Sequence, residues 1–283
     1  MSRFKTLGTR AMTATIFALV MIAGIYLHPA GFMLLFGIIL IIGLNELFEL
    51  SFYADIESKK LYKNVGPFIS ALPFLWVVFD KLGIFKFKID PFIALTLFLI
   101  PVFIGFLIEL LLKGRQQFYR VSYVALGVAY LCLPISLVCD LAINDEGFHP
   151  NVIMGLLFLI WINDTGAYFA GSAFGKHKLY ETISPGKTWE GSLGGAVLTV
   201  AVAWLFPLIF GEFESTQWVV LGIISMIFGT LGDLTESMLK RNHGVKDSGS
   251  LMPGHGGILD RFDAFIFLIP FAYLYIKLFI HKI

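Results

Sequence analysis

Apolar runs of about bilayer length recur nine times along the chain, near residues 12–28, 32–50, 66–80, 92–112, 122–140, 151–173, 193–210, 217–235 and 263–280, with short polar stretches between them. A helix needs about 20 mostly apolar residues to cross the ~30 Å hydrocarbon layer, so the pattern predicts nine spanning helices. The run at 66–80 is short and contains Pro73; the last carries Lys277, whose stem can lie against lipid while its ammonium reaches outward. Ala11 to Asn45 contains no Asp, Glu, Lys or Arg, and no small-residue cleavage site follows the first run. The basic start MSRFKTLGTR therefore leads into a retained helical hairpin, turning at His28-Pro29-Ala30-Gly31, rather than a removed signal peptide.

Composition agrees: 57% of the 283 residues are hydrophobic and 29 are phenylalanine, which excludes a water-soluble globule. A net charge of +1 gives no basic excess for nucleic acid. Cys132 and Cys139 lie in an apolar run, seven residues apart, and a helical separation of ~10 Å is too long for a disulfide. Both are expected to pack as thiols.

The distribution of Lys and Arg sets the expected orientation. With the N-terminus (Arg3, Lys5, Arg10) in the cytoplasm, the basic connections 51–65 (Lys59, Lys60, Lys63), 113–121 (Lys113, Arg115, Arg120), 174–192 and 236–262 all fall inside. The outside connections 141–150, with Asp145 and Glu146, and 211–216, with Glu212 and Glu214, hold no Lys or Arg. One connection dissents, because Lys81, Lys86 and Lys88 fall outside. The expectation is an all-α integral membrane protein of about nine transmembrane helices, N-terminus cytoplasmic. It is read as one polytopic domain, with undistinguished helices over 1–150 and the chemistry in 151–283. No low-complexity tract, linker or internal repeat interrupts it.

The densest charge runs from Asp233 to Asp263, where nine of 31 residues are charged against 14% overall. Charge so close to lipid is costly unless it binds something. Asp260 and Asp263, three apart, share a helical face and can present oxygen ligands to a hard cation. Asp233 and Glu236 do the same, with Lys240 four residues after Glu236; the alternative is an ordinary salt bridge at a solvated helix end. Carboxylates for magnesium and cations for phosphate, here Lys240, Arg241, Lys246 and Arg261, are what phosphoryl or nucleotidyl transfer needs. Gly244, Gly249, Gly254, Gly256 and Gly257 let the backbone approach a ligand, with His255 among them. His243 and His255 have no thiolate or close histidine beside them, so zinc is not expected.

A second cluster begins inside a span. Asn163 and Asp164 sit in an apolar run, and an ionisable group at such depth faces protein or a water-filled cavity. Gly166 and Gly171 serve either a site or close helix packing. Ser184-Pro185-Gly186-Lys187-Thr188 offers hydroxyls, a lysine and backbone N–H groups at a turn opening a helix, which suits phosphate; a basic loop touching lipid headgroups is equally compatible, and the spacing is not that of a Walker A loop. Glu46, Glu49 and Glu109 are read as interfacial anchors near cytoplasmic helix ends.

The pattern S-x-x-K-R-x4-K-D-x-G-x3-P-G-H-G-G-x-x-D-R-x-D, from Ser237 to Asp263, resembles the signature of the CDP-diacylglycerol synthase (phosphatidate cytidylyltransferase) family, with every fixed position present. Upstream, Trp161, Asp164, Ala167, Tyr168, Gly171, Phe174 and Gly175, then Ser184-Pro185, Lys187-Thr188 and Glu190-Gly191, resemble a second block of that family. The resemblance implies a multi-helix membrane enzyme that joins CTP to phosphatidic acid, releasing pyrophosphate and CDP-diacylglycerol. It also implies a magnesium requirement, with a monovalent cation beside it left open, and a site open to the cytoplasm and inner leaflet; the compact chain without long extensions points to a bacterial cytoplasmic membrane. Carried over by position, the metal carboxylates are Asp233, Asp260 and Asp263 and the catalytic lysine is Lys240. Ser184, Lys187 and Thr188 lie near the nucleotide, and Asp164, Arg241, Lys246, Asp247, His255 and Arg261 complete the implied binding set. The partners are CTP, phosphatidic acid and membrane lipids, with no nucleic acid; a homodimer is compatible.

Two rival readings remain at this level. A transporter using Asp164 and Asp233 as ion ligands would be expected to repeat interrupted helices in its two halves, and no repeat is found. Other CTP-using membrane enzymes, such as a polyprenol kinase or an ether-lipid synthase, are set aside only by the Ser237 to Asp263 match.

Overall fold

A computed structural model describes residues 2–51, 56–84, 91–111, 119–251 and 256–280. Each apolar run is helical: α1 (Ser2–Tyr26), α2 (Pro29–Ser51), α3 (Ile56–Lys81), α4 (Pro91–Leu111), α5 (Tyr119–Leu126) continued through a π-helical segment (Gly127–Cys132) into α6 (Leu133–Ala142), then α7 (Pro150–Phe174), α8 (Trp189–Ala203), α9 (Ser215–Asn242) and α10 (Leu259–Phe279). Two small antiparallel hairpins interrupt the helices, β1 (Ile143–Asn144) with β2 (Gly147–Phe148) and β3 (Lys178–Tyr180) with β4 (Ser184–Thr188).

Among the described residues six segments are both long and apolar enough to cross a bilayer: Pro29–Ser51, Ile93–Leu110, Arg120–Ala142, Pro150–Phe174, Ser215–Asn242 and Leu259–Phe279. The other three predicted spans fall short of that measure among the described residues. The first contributes an apolar helix over Thr15–Tyr26. The second lies in α3, whose opening turns carry Glu57, Lys59, Lys60 and Lys63. The third, α8, stops at Ala203 instead of reaching 210. Pro207, with no N–H to give, sits in a short 3-10 turn over Phe206–Leu208, and Gly211 at φ 66° turns the chain onward.

The chain forms two compact units, each built from two stretches: residues 1–140 with 247–261, and residues 141–246 with 262–283. In the first, α2 buries Phe32, Phe36, Leu40, Leu44, Leu47 and Phe48 completely. Gly66 on α3 makes room for Phe48: a Cβ there would stand 2.2 Å from the ring. Cys132 and Cys139 are free and buried, as expected. Lys81 pairs with Asp140 at 2.5 Å, so one lysine of the dissenting connection is neutralised within its own unit; Lys86 and Lys88 lie outside the described residues.

In the second unit Trp218 is fully buried, its ring centroid 5.1–5.7 Å from those of Phe206, Phe210 and Phe213. Gly155 on α7 leaves the space it fills. A reciprocal capping box between Glu214 and Gln217 opens α9. Phe228 of α9 stacks on Phe271 of α10 at 3.5 Å. The 28 residues of α9 make about 42 Å of helix at 1.5 Å per residue, longer than the ~30 Å hydrocarbon layer. Its charged last turns therefore have room to stand in headgroups and water.

Candidate active site

A cavity of ≈ 450 Å³ opens in the second unit, walled by α7 through Asn163, Asp164 and Tyr168, by Lys187 of β4, and by Thr230 and Asp233 of α9. Beside it α7 and α8 touch along a seam of small residues. A Cβ on Gly166 would lie 3.0 Å from the Cα of Gly195, and one on Gly191 would lie 2.8 Å from the carbonyl oxygen of Ala167. Of the two roles open to Gly166, the geometry supports close packing.

The strand β4 reaches the cavity because its hairpin is tied to the start of α8. Glu190, in the first turn of α8, accepts the backbone N–H groups of Lys176 (3.0 Å) and His177 (3.2 Å) on one oxygen and meets the His177 ring at 2.6 Å with the other. These bonds, the Lys176 N–H first and the His177 ring next, hold the Glu190 carboxyl down at about 2 against an ordinary 4.5. Lys178 donates to the carbonyl of Pro185 at 2.6 Å. Thr188 caps α8, its hydroxyl accepting from the Gly191 N–H at 3.1 Å. The segment from Ser184 to Thr188 is thus a strand that turns into a capped helix, which places Lys187 in the cavity wall.

Lys187 pairs with Asp233 at 2.5 Å. The other Asp233 oxygen accepts from the Ser237 hydroxyl at 3.2 Å. Asp263 on α10 is buried and lies within electrostatic reach of Asp233, Lys240 and Lys187. Gly232 makes this approach possible: a Cβ there would stand 2.6 Å from the Asp263 carbonyl oxygen and 2.6 Å from the Phe267 Cβ, closer than real side chains come. Lys240 is itself buried in an ion pair with Glu236, so the helical spacing does make a salt bridge, but an interior one.

Two carboxylates brought together in low dielectric repel unless cations compensate them, and an all-oxygen donor set suits a hard divalent ion. Asp233 and Asp263 fit such an ion in that sense, with Lys187 and Lys240 supplying compensation meanwhile. Among the described residues no group of three or more His, Cys, Asp or Glu side chains is gathered for a metal.

In the first unit, Asp260 carries a different load. One of its oxygens accepts from the Ser248 N–H (2.9 Å), the Ser248 hydroxyl (3.0 Å) and the Gly257 N–H (2.8 Å). Gly256, at φ 80°, has the conformation that lets the loop fold over that carboxylate. Glu46, expected to be an interfacial anchor, is instead 6% exposed and accepts the Ile258 and Leu259 N–H groups, which at the start of α10 have no carbonyl of their own helix to bind. Glu49 does pair with Lys63 at the surface, and Glu109 takes the Tyr62 hydroxyl at 2.5 Å.

Of the other predicted site residues, Asp164 lines the cavity and Ser184 sits in the hairpin opposite Tyr180. Arg241, Lys246, Asp247 and Arg261 are exposed, Arg241 donating to the Val245 carbonyl at 2.8 Å. His255 lies outside the described residues. Sequence reasoning passed over Thr230 and Ser248 as parts of the site, and named Glu190 within the second family block without a role.

Fold and site together define an integral membrane protein of many apolar helices with a cavity lined by Asp164, Asp233 and Lys187. Residues 8–279 match the model of the cytidylyltransferase family. The chain is 37% identical over 267 residues to the phosphatidate cytidylyltransferase of Staphylococcus aureus (strain COL), covering 92% of this chain and 95% of that one. It is 35% identical to the protein of that name from Staphylococcus haemolyticus over 265 residues, with the same coverage. With the one from Bacillus subtilis (strain 168) identity is 35% over 238 residues, 84% of this chain and 86% of that one. The chain belongs to the cytidylyltransferase family.

Proposed function

We propose that this protein transfers a cytidylyl group from CTP to phosphatidic acid, giving CDP-diacylglycerol and pyrophosphate. A phosphate oxygen of phosphatidic acid attacks the α-phosphorus of CTP. That P–O bond forms as the bond from the α-phosphorus to the α,β-bridging oxygen breaks, and the electron pair leaves with pyrophosphate. The nucleophile is already ionised, so no general base is assigned. The barrier is the meeting of two polyanions.

The observation that carries this reading is the Lys187–Asp233 pair in the cavity wall, with Asp263 in electrostatic reach. Asp233 and Asp263 would hold a magnesium ion, which would supply positive charge to the CTP phosphates, and Asp260 would serve the same transfer from the signature. Lys187 can exchange Asp233 for a phosphate oxygen. Lys240, buried against Glu236, keeps Asp233 and Asp263 compatible through its field. Acyl chains stay in the bilayer while the headgroup enters the cavity.

All nine helical runs are assigned as spans, with the N-terminus and the site on the cytoplasmic side of a bacterial inner membrane. With Cys132 and Cys139 both buried, a single cysteine introduced at Glu212 will react in whole cells with an impermeant maleimide, and one at Glu181 only after permeabilisation; the reverse would invert the topology. Purified protein offered labelled CTP with phosphatidic acid, dolichol and an ether-lipid phosphate side by side will label the phosphatidic acid product. Preference for either other acceptor would overturn the substrate assignment.

A further inference from the structure

Glu46 lies in the apolar helix α2, about 200 residues before the signature, yet both of its carboxylate oxygens are committed to the signature loop. One accepts the Ile258 N–H at 2.9 Å; the other accepts the Leu259 N–H at 2.8 Å and the Ser248 hydroxyl at 2.9 Å. Ile258 and Leu259 stand at the start of α10, where N–H groups have no carbonyl of their own helix to bind. Ser248 is at once in reach of Asp260 at 3.0 Å, so one hydroxyl links the α2 carboxylate to a carboxylate of the signature.

A second observation makes the same point sterically. A Cβ on Gly249 would lie 2.5 Å from one Glu46 carboxylate oxygen, and a Cβ on Gly257 would lie 2.3 Å from the other. Neither glycine has the positive φ that would demand glycine by conformation. Two glycines of the signature are thus required because Gly249 and Gly257 both pack directly against this carboxylate.

We infer that Glu46 is a positioning residue: it fixes the signature loop and the first turn of α10, and through Ser248 it fixes Asp260, for the cytidylyl transfer proposed above, on which this role rests. A carboxylate is needed because a backbone N–H donates to each of its two oxygens. An amide can offer its oxygen to one side only and must turn its NH2 against donors on the other.

The test compares Glu46→Gln, Glu46→Asp, Ser248→Ala and, as a control, Glu49→Gln in purified full-length protein. It reads kcat, KM for CTP and amide hydrogen exchange. Supporting groups behind a reactive centre are worth ~10–100-fold, so Glu46→Gln is expected to lower kcat by about that factor with a smaller change in KM. Exchange should quicken at Ile258 and Leu259 and stay unchanged in α7 and α8. Ser248→Ala, which leaves the Glu46 backbone bonds in place, should move the same way by less, and Glu46→Asp should recover part of the loss. Glu49→Gln should resemble the starting protein. Unchanged exchange at 258–259 in Glu46→Gln, or quickened exchange there with kcat unchanged, would overturn the role. Should Glu46→Gln fail to fold, wild-type kcat in Ser248→Ala would do so. A starting protein that consumes no CTP would instead defeat the parent reading.

Discussion

Replacing Gly232 with alanine drives a methyl group into the place where α9 meets α10. The new Cβ would stand 2.6 Å from the Asp263 carbonyl oxygen, 2.6 Å from the Phe267 Cβ and 3.0 Å from the Ala264 Cα, where ordinary contact begins at 3.4 Å. None of these atoms ends a flexible side chain, so relief requires the helices to part by ~0.8 Å, the difference between 3.4 and 2.6 Å. Overpacking of this kind costs ~1–3 kcal/mol of stability, and a displacement near 1 Å at a reacting centre can cost ~100-fold in rate. Gly229, one turn earlier, is the internal control: its Cβ would meet nothing nearer than Ala264 Cβ at 3.8 Å. There alanine should fit and gain up to ~1 kcal/mol of helix propensity. The assay is turnover per folded molecule in detergent, with thermal unfolding measured on the same samples. Gly232→Ala should lose roughly two orders of magnitude, while Gly229→Ala keeps full activity and equal or greater stability. Full activity in Gly232→Ala, or equal loss in both variants, would refute the argument that this contact sets the separation of Asp233 and Asp263.

Further predictions concern the hairpin and the cap. The Glu190 carboxyl is pulled below its unfolded value, so its contribution to the hairpin is complete above about pH 4.5 and is lost as pH falls through about 2. Amide exchange at Lys176 and His177 should stay slow from neutral pH down to about 4 once intrinsic rates are corrected, and Glu190→Gln should quicken it at neutral pH; unchanged protection in that variant would remove the tie. Thr188→Ala should lower stability by ~1 kcal/mol through loss of the cap, with Thr188→Ser retaining most of it; equal melting curves for all three proteins would contradict the cap.

The helices were legible because an apolar run of bilayer length admits few other structures, and the exception is instructive. The hydrophobicity of 193–210 continues past Ala203, and what ends α8 is a proline and a turn that a count of apolar residues does not weigh. The chemistry of the site was legible in part, since charge beside lipid stands out. Its pairings were not: Lys187 and Asp233 are 46 positions apart, and nothing local in either stretch points to the other. Glu46 was misread for the same reason. An acid near the end of an apolar helix looks like an anchor until its partners, more than 200 residues away, come into view. Glu236 and Lys240 show the complementary case, a pairing that spacing foresaw with a burial that it did not.

The most direct test follows the label of [α-32P]CTP with phosphatidic acid and magnesium in purified wild-type, Asp233→Asn and Asp263→Asn proteins, with folding checked by thermal unfolding. Label should enter the lipid phase with one pyrophosphate released per lipid in the wild type, and neither folded variant should transfer it. Undiminished transfer by either variant, or CTP breakdown without label in lipid, would contradict the account.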